Sequence, residues 1–168
     1  MSSGEIRMHP TAFHHHEHHH CTGAVLEQAE LRAREAGVRL TPVRRRTLEI
    51  LLEEHRAMGA YEVLDRLATE GFGRQPPVVY RALEFLVEQG LAHRVQRLNA
   101  FAACMHPAED HEPAFLICHL CKRIAEAPAD EIRAALIATA SAFGFKVEGM
   151  SLEATGLCPD CSEGDDAR

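Results

Sequence analysis

The sequence predicts an α+β fold in which an N-terminal winged helix-turn-helix domain is joined by a hinge to a small α/β dimerisation domain with a four-cysteine zinc site. Three observations predict it. Helical segments separated by glycines lead into two short β-type runs, two identical Cys-x-x-Cys pairs follow near the C-terminus, and charge divides unevenly between the halves. At 168 residues the chain can hold two small domains, whose thin cores make a metal crosslink physically reasonable.

Charge assigns different partners to the two halves. Residues 30–97 contain 12 arginines against 10 acidic residues, whereas residues 98–168 contain 5 basic and 12 acidic residues. Phosphate binding depends on local charge density, so only the first half is a candidate for DNA binding, although the whole chain has a net charge of −7.

The apolar segments of the chain are too short for a membrane span, which favours a cytoplasmic protein with no membrane partner. No stretch approaches the roughly 18 apolar residues of a membrane span, and the N-terminus lacks the apolar core of a secretory signal. In a reducing compartment, paired cysteines indicate metal binding rather than disulfides.

The N-terminus is of low complexity and histidine-rich. A glutamate interrupts the histidine run, which favours a native chelating tail, while an expression tag is the alternative. The candidate auxiliary metal ligands there are His14, His15, His16, His18, His19 and His20. We expect a disordered tail over 1–22, a winged-helix DNA-binding domain over 23–105, a hinge over 106–113, a dimerisation and metal-binding domain over 114–162, and an acidic tail over 163–168.

The first two helices are predicted from composition and end signals. Residues 24–36 have helical composition and end at Gly37, a residue suited to the left-handed position after a helix. Thr41 and Pro42 then supply an N-cap and a first-turn proline. The apolar face of this second helix consists of Val43, Thr47, Ile50 and Leu51. Arg44, Arg45 and Arg46 fall partly outside that face, and Arg44 is a candidate DNA contact.

Two further helices and a hairpin complete the first domain. A third helix is predicted over 60–70, with Val63, Leu64 and Leu67 facing inward, and a fourth over 77–89, opened by two prolines. Residues 91–97 and 100–104 form a hairpin with a non-ideal turn. The inward face of the fourth helix consists of Val79, Leu83, Leu86 and Val87. Four helices followed by a hairpin predict a winged helix-turn-helix.

The face of the fourth helix opposite its apolar stripe carries Tyr80 and Arg81. Arginine bonds guanine edges or phosphates, and tyrosine contacts a thymine methyl group or a phosphate. The plain alternative is a solvated helix face, because helix-turn-helix patterns are weak signals without context.

The C-terminal third alternates between strand and helix patterns. Strands are predicted over 114–117, 123–125 and 145–153, with a helix over 128–143 between the second and third strands. The predicted buried stripe of this helix consists of Ile132, Ala135, Leu136 and Thr139.

Four cysteines in two pairs carry the strongest chemical signal. Cys118 and Cys121 form the first pair, Cys158 and Cys161 the second, and each pair has a two-residue gap that lets one turn aim two thiolates at one cation. The 36 intervening residues suffice for a strand, a helix and a strand that bring the pairs together. Four thiolates leave no open coordination position, so the sequence predicts a structural zinc site rather than a catalytic one.

A second, mixed set of ligands consists of His93, Cys104, His111 and Glu126. A shell of nitrogen, sulfur and oxygen suits zinc and binds it less tightly than four thiolates, as a sensor requires. The ligands come from both halves, so metal binding would hold one domain against the other. The alternative is surface histidines beside one buried cysteine, and the competing ligands nearby are His106, Glu112 and His119.

Several sequence blocks resemble the ferric uptake regulator superfamily. RLTPVRRRTLEIL, AYEVLDRL, PPVVYRALEFLVEQGLAHRV and the pairs in FLICHLC and GLCPDC match its pattern in order and spacing over about residues 24–161. Within the superfamily the chain most resembles the zinc uptake regulator branch, because EDHEPAFLIC has one histidine where the iron and peroxide branches carry a histidine-rich stretch.

The resemblance implies roles for individual residues. His93, Cys104, His111 and Glu126 would bind regulatory zinc, and the two cysteine pairs structural zinc, giving two Zn²⁺ per subunit. Tyr61, Tyr80 and Arg81 would face DNA. Val78 departs from the threonine usual in the family, and the lost hydroxyl removes a cap or a phosphate contact.

We therefore expect a zinc-responsive repressor that binds palindromic operator DNA as a homodimer and represses zinc-uptake genes. It has no expected substrate other than the metal ion. The nearest alternative is the same fold sensing iron, manganese or nickel. The Cys104 thiolate and the few histidines of the hinge favour zinc, and the histidine tail keeps nickel as an alternative, because imidazole suits nickel. A zinc buffer would leave the helix-turn-helix without a purpose. A zinc enzyme would need an open metal position and a general base, and the sequence has no HExxH motif.

Overall fold

A computed structural model describes residue 13 and residues 18–54 and 56–163. The first domain contains α1 (His18–Glu35), α2 (Pro42–Glu54), α3 (Ala60–Thr69) and α4 (Pro76–Glu88). The wing follows as β1 (Ala92–Val95), a 3₁₀ turn (Gln96–Leu98) and β2 (Ala100–Ala103). The second domain contains β3 (Ala114–Cys118), β4 (Ile124–Ala127), α5 (Asp130–Ala142), β5 (Leu152–Gly156) and α6 (Pro159–Glu163).

The helix ends follow local chemistry. The Thr41 hydroxyl accepts a bond from the Arg44 amide at 3.4 Å before α2, and Glu62 accepts from the Gly59 amide at 2.9 Å before α3. At the end of α4, Gly90 adopts φ +67°, and the Leu91 amide donates to the Leu86 carbonyl at 2.8 Å. This left-handed termination turns the chain directly into the wing.

The first domain packs its helices around one apolar core. The predicted inward residues of α3 and α4 are buried except Val87, which is half-buried. In α2 the buried set is larger than predicted, because Leu48 and Leu52 are also buried. The wing strands β1 and β2 pair antiparallel around Asn99, which adopts φ +46°.

The second domain is a three-stranded sheet in the order β4-β3-β5. β3 pairs antiparallel with β4 and parallel with β5, and α5 makes the crossover to β5. A second apolar cluster joins this sheet to the wing, with Phe115 and Ile117 packed against Val95, Ala100 and Ala102. The two domains are therefore in direct contact.

The elements of the single chain differ from the predictions in three places. Helix α1 begins at His18, inside the region predicted as a disordered tail, and the third C-terminal strand covers only Leu152–Gly156 rather than 145–153. No residue of α5 is buried, so its predicted stripe is exposed, with Ile132 at 54% and Leu136 at 44%. An amphipathic pattern shows that a face needs covering, and no described part of this single chain covers it.

The N-terminal and C-terminal tails lie largely outside the described residues. His14, His15 and His16 fall there, as do residues 164–168, while His18, His19 and His20 lie in the first turn of α1. The auxiliary metal role of these histidines stays a prediction. Within the described ranges, no helix combines the length and the hydropathy that a membrane crossing needs.

Candidate metal centres and nucleic-acid interface

The structure brings the four predicted cysteines together at one end of the second domain. Cys118 ends β3, and Cys121 follows in the turn before β4. Cys158 directly precedes α6, and Cys161 lies within it. Because β3 and β5 run parallel in register, both pairs emerge at the same edge, and their Sγ atoms all lie within 4.8 Å of one another. The Sγ atoms of Cys121 and Cys158 are 3.7 Å apart, and none of the four forms a disulfide.

Hydrogen bonds favour the thiolate form at part of this cluster. Burial opposes ionisation of Cys118, but backbone N–H donors of Cys121, Cys158 and Leu120 outweigh it and lower its pKa to about 6. The hydrogen bond with the Cys158 thiol raises the pKa of Cys161 to about 12. Four converging thiol ligands that cannot all ionise without a cation fit tetrahedral zinc.

Arg123 is a functional residue that sequence reasoning missed. Its Nε donates to Cys121 Sγ at 3.3 Å and its Nη2 to Cys158 Sγ at 3.7 Å, while Nη2 also meets the Asp160 carboxylate at 2.6 Å. The guanidinium therefore lies between the two cysteine pairs. Its position two residues after Cys121 was the available signal.

The second predicted ligand set also converges. His93 lies on β1, Cys104 directly follows β2, His111 lies in the connecting segment (residues 104–113), and Glu126 lies on β4. Their four ligand atoms all lie within 4.8 Å of one another. His111 Nε2 is 3.0 Å from Glu126 Oε2 and 3.8 Å from Cys104 Sγ, and His93 Nε2 is 3.6 Å from Glu126 Oε1. The set joins the wing, the connecting segment and the C-terminal sheet.

Hydrogen bonds orient His111 and Glu126 so that their free ligand atoms face the other members of the set. His111 Nδ1 donates to the Glu109 carbonyl at 2.9 Å, which leaves Nε2 facing the other ligands, and the Met105 amide holds Glu126 Oε1 at 3.1 Å. Among the described residues, His93 Nε2 is buried without a hydrogen-bond partner. A buried, unpartnered imidazole nitrogen aimed at a carboxylate and a thiol fits a divalent cation.

Burial sets the protonation of the same residues. It lowers the pKa of His93 despite the opposing charge of Glu126, and it raises the pKa of the Cys104 thiol to about 12. At His111, burial lowers the pKa, but hydrogen bonds to the Glu109 carbonyl and the Glu126 carboxylate outweigh it, and the net shift is upward. Metal binding at this set would therefore have to displace a proton from Cys104 and, at lower pH, from His111.

The competing ligands lie at or outside the edge of this set. His106 is 54% exposed, with Nδ1 at 3.7 Å from Glu126 Oε2. Glu112 forms an ion pair with Arg133 of α5, and His119 is exposed beside the cysteine cluster. Arg32 of α1 supports the connecting segment, because it donates to the Pro107 carbonyl at 2.9 Å and to Asp110, the residue before His111.

Three of the predicted DNA contacts, Tyr61, Tyr80 and Arg81, are exposed on the first domain. Tyr61 at the start of α3 is 67% exposed and Tyr80 on α4 is 41% exposed. Both line a crevice of about 220 Å³, which also includes Arg94 and Asn99 of the wing, two residues that the sequence did not single out. Arg81 is exposed and its Nε donates to the Pro77 carbonyl at 3.1 Å.

Arg44 is engaged within the domain. Its guanidinium lies 3.6 Å above the Phe85 ring and donates to the Arg39 carbonyl at 2.9 Å. Four other arginines of the first domain form ion pairs with glutamates: Arg45, Arg46, Arg56 and Arg66. These ion pairs reduce the unpaired positive charge that this domain offers to DNA phosphates. The DNA contact of Arg44 stays a prediction.

Comparison with known proteins places the chain in one family. A model of the ferric uptake regulator family matches residues 35–155. The zinc uptake regulation protein of Escherichia coli strain K12 is 36% identical over 143 residues, which are 84% of this chain and 84% of that protein.

Solved structures agree on the fold. A zinc uptake regulator complexed with zinc and DNA is 35% identical and has a TM-score of 0.81, with 86% of this chain and 97% of that chain covered. Holo XcZur is 36% identical with a TM-score of 0.76, over 83% of this chain and 98% of its own. Apo XcZur, at 35% identity over 85% of this chain and 99% of its own, has a TM-score of only 0.50.

Proposed function

This chain belongs to the ferric uptake regulator family, and on that premise we propose that it is a zinc-responsive transcriptional repressor of zinc-uptake genes. The relative in Escherichia coli is a zinc uptake regulation protein, and a zinc uptake regulator bound to zinc and DNA shares the fold. We propose that this chain binds palindromic operator DNA as a homodimer in the cytoplasm. The family regulates transcription, and the chain is not an enzyme.

One observation carries the proposal. The ligand atoms of His93, Cys104, His111 and Glu126 lie within 4.8 Å of one another, although they come from the wing, the connecting segment and the C-terminal sheet. A site that needs all four is complete only when the wing rests on the second domain. Metal occupancy and the pose of the DNA-binding domain are then linked.

The four ligands contribute to this linkage from different parts of the molecule. His93 and Cys104 move with the wing, whereas Glu126 is fixed in the sheet by its strand pairing. Bound zinc supplies a positive centre that all four ligands share. The closed pose sets the spacing between the two recognition helices of a dimer. That spacing must match the distance between the two half-sites of a palindromic operator. Linkage then requires zinc and DNA to strengthen each other's binding.

The comparison of two states of one relative supports this mechanism. The arrangement of this chain resembles the DNA complex and holo XcZur, with TM-scores of 0.81 and 0.76, more than apo XcZur at 0.50. Because the identities are nearly equal, we attribute the difference to domain arrangement rather than to sequence. The pose described here is therefore the one we assign to the DNA-binding state.

The four-cysteine cluster has a separate role in the proposal. We assign it a structural zinc, so that each subunit holds two Zn²⁺, one structural and one regulatory. The cluster joins the ends of β3 and β5 to α6 and takes no ligand from the wing. It would stabilise the dimerisation domain without reporting the zinc supply.

The test measures operator binding by fluorescence anisotropy, with zinc and with a chelator too weak to strip the four-cysteine site. The probe is a DNA duplex selected from a random library by the zinc-loaded protein. We expect zinc to tighten binding by roughly 5- to 150-fold, the range of a coupling of about 1–3 kcal/mol. Equal affinity in both conditions contradicts the proposal, and the same titration with iron, manganese and nickel identifies the sensed metal.

Variants separate the two sites. His93→Ala and Cys104→Ser should abolish the response to zinc while the fold remains, as judged by circular dichroism. The matched control is His119→Ala, which removes an exposed imidazole outside the mixed set. Cys118→Ser should instead unfold the protein or make it monomeric. A normal zinc response in His93→Ala would overturn the ligand assignment.

A further inference from the structure

Three residues form one row across the C-terminal sheet. In the strand register Phe115 of β3 lies opposite Glu126 of β4 and also opposite Glu153 of β5. Directly opposed residues on neighbouring strands place their side chains on the same face of a sheet. The side chains of Glu126, Phe115 and Glu153 therefore point to one side, toward the wing.

Each member of the row contacts the wing, two of them at His93 and the third at the wing tip. Glu126 faces His93 of β1, as described above. Phe115 is 5% exposed, and its ring centroid lies 5.4 Å from that of His93. The carboxylate of Glu153 accepts hydrogen bonds from the backbone amides of Gln96 at 2.6 Å and Arg97 at 2.8 Å.

The contacts of Glu153 need no metal. Gln96 and Arg97 begin the 3₁₀ turn of the wing, where backbone amides have no acceptor within the turn. A carboxylate with one oxygen on each amide satisfies both donors through charge-assisted hydrogen bonds. The Ser151 hydroxyl holds the same carboxylate at 3.2 Å.

We propose that Glu153 is a positioning residue of the zinc switch, which docks the wing on the C-terminal sheet independently of the metal. The inference rests on the proposed function. Glu153 raises the fraction of molecules in the closed pose before zinc binds. Because apparent affinity scales with the fraction of competent molecules, this residue sets the zinc concentration at which the operator is occupied.

The test compares Glu153→Gln and Glu153→Ala with Glu148→Gln. Glu148 is 80% exposed, lies in the same segment and contacts only Lys146 among the described ion pairs, so it controls for the loss of one charge. We expect the zinc midpoint of operator binding to rise about 3- to 10-fold in Glu153→Ala, up to about 1.4 kcal/mol, and less in Glu153→Gln. Affinity at saturating zinc should change little. An unchanged midpoint in both Glu153 variants overturns the inference.

A second measurement does not depend on operator binding. Hydrogen–deuterium exchange of the wing-tip peptide that contains Gln96 and Arg97 should be faster in both Glu153 variants than in wild type and Glu148→Gln. Unchanged exchange shows that the contact does not hold the wing, and the inference fails. If wild type ignores zinc while exchange still responds to Glu153, the proposed function fails and the docking contact stands.

Discussion

The cysteine cluster depends on a neighbouring cation as well as on its own sulfurs. Arg123 donates to Cys121 and Cys158, which belong to different pairs, and its guanidinium also bonds Asp160 of α6. Four thiolates around one divalent ion carry a net charge of −2, and a cation at hydrogen-bond distance offsets part of it. We therefore expect zinc retention at this proposed site to depend on five residues rather than four.

Arg123→Met should accelerate zinc loss from the cluster. Outer-sphere substitutions typically weaken metal binding by about 10- to 100-fold, and we expect that range here. The measurement is the rate of colour development with a chromophoric chelator. Lys122→Met is the matched control, because Lys122 contacts the His119 carbonyl instead of sulfur. Equal release rates in the two variants would show that the N–H···S contacts do not hold the metal.

Residue types and spacing predicted both ligand sets, but not the residues that support them. A Cys-x-x-Cys pair is a local pattern, whereas Glu153 meets Gln96 across 57 positions and Arg32 meets Asp110 across 78. A single glutamate or arginine in a sequence gives no sign of such a distant partner. Those contacts follow from domain placement, which only the structure supplies.

At the scale of the element, α4 and α5 show the strength and the limit of periodicity. In α4 the predicted inward residues Val79, Leu83 and Leu86 are buried, while Tyr80 is exposed. In α5 a weaker pattern of the same kind is present, yet Ile132, Leu136 and Ile137 are exposed. Periodicity identifies the face that must be covered, but it does not say whether the same chain covers it. We assign the cover of α5 to the second subunit of the homodimer.

Leu136→Asp should therefore dissociate the dimer. A carboxylate forced into an apolar interface without a partner costs about 3–5 kcal/mol, so the dimer dissociation constant should rise more than roughly 100-fold. Light scattering after size-exclusion chromatography measures the mass. Ala138→Asp introduces the same charge at an exposed position on the other side of α5. A Leu136→Asp protein that stays dimeric at low concentration would place the interface elsewhere.

At the scale of the molecule, the two domains are joined by metal-independent contacts as well as by the mixed ligand set. The apolar cluster around Phe115 and the Glu153 contact both bridge them, and Arg32 holds the connecting segment to α1. The sequence predicted the hinge over 106–113, and the segment contains neither helix nor strand. How the domains rest on each other could not be predicted, since it depends on shape complementarity between distant side chains.

Removal of regulatory zinc should loosen this arrangement. We expect small-angle scattering of the wild-type dimer to give a larger radius of gyration after mild chelation, and Cys104→Ser to show the larger value even with zinc added. His119→Ala should behave as wild type does. Identical scattering with and without zinc would mean that metal does not control domain pose, whatever its effect on DNA.

The contact between Glu153 and the wing tip affects how fully the target genes can be repressed and induced. Because Glu153 favours the docked wing whether or not zinc is bound, some molecules in a zinc-starved cell would already have the repressing geometry. Transcription of the target genes would then never reach its ceiling. A weaker contact of Glu153 with the wing would permit fuller induction but would require more zinc for repression. This one carboxylate therefore balances the maximum level of induction against the sensitivity to zinc.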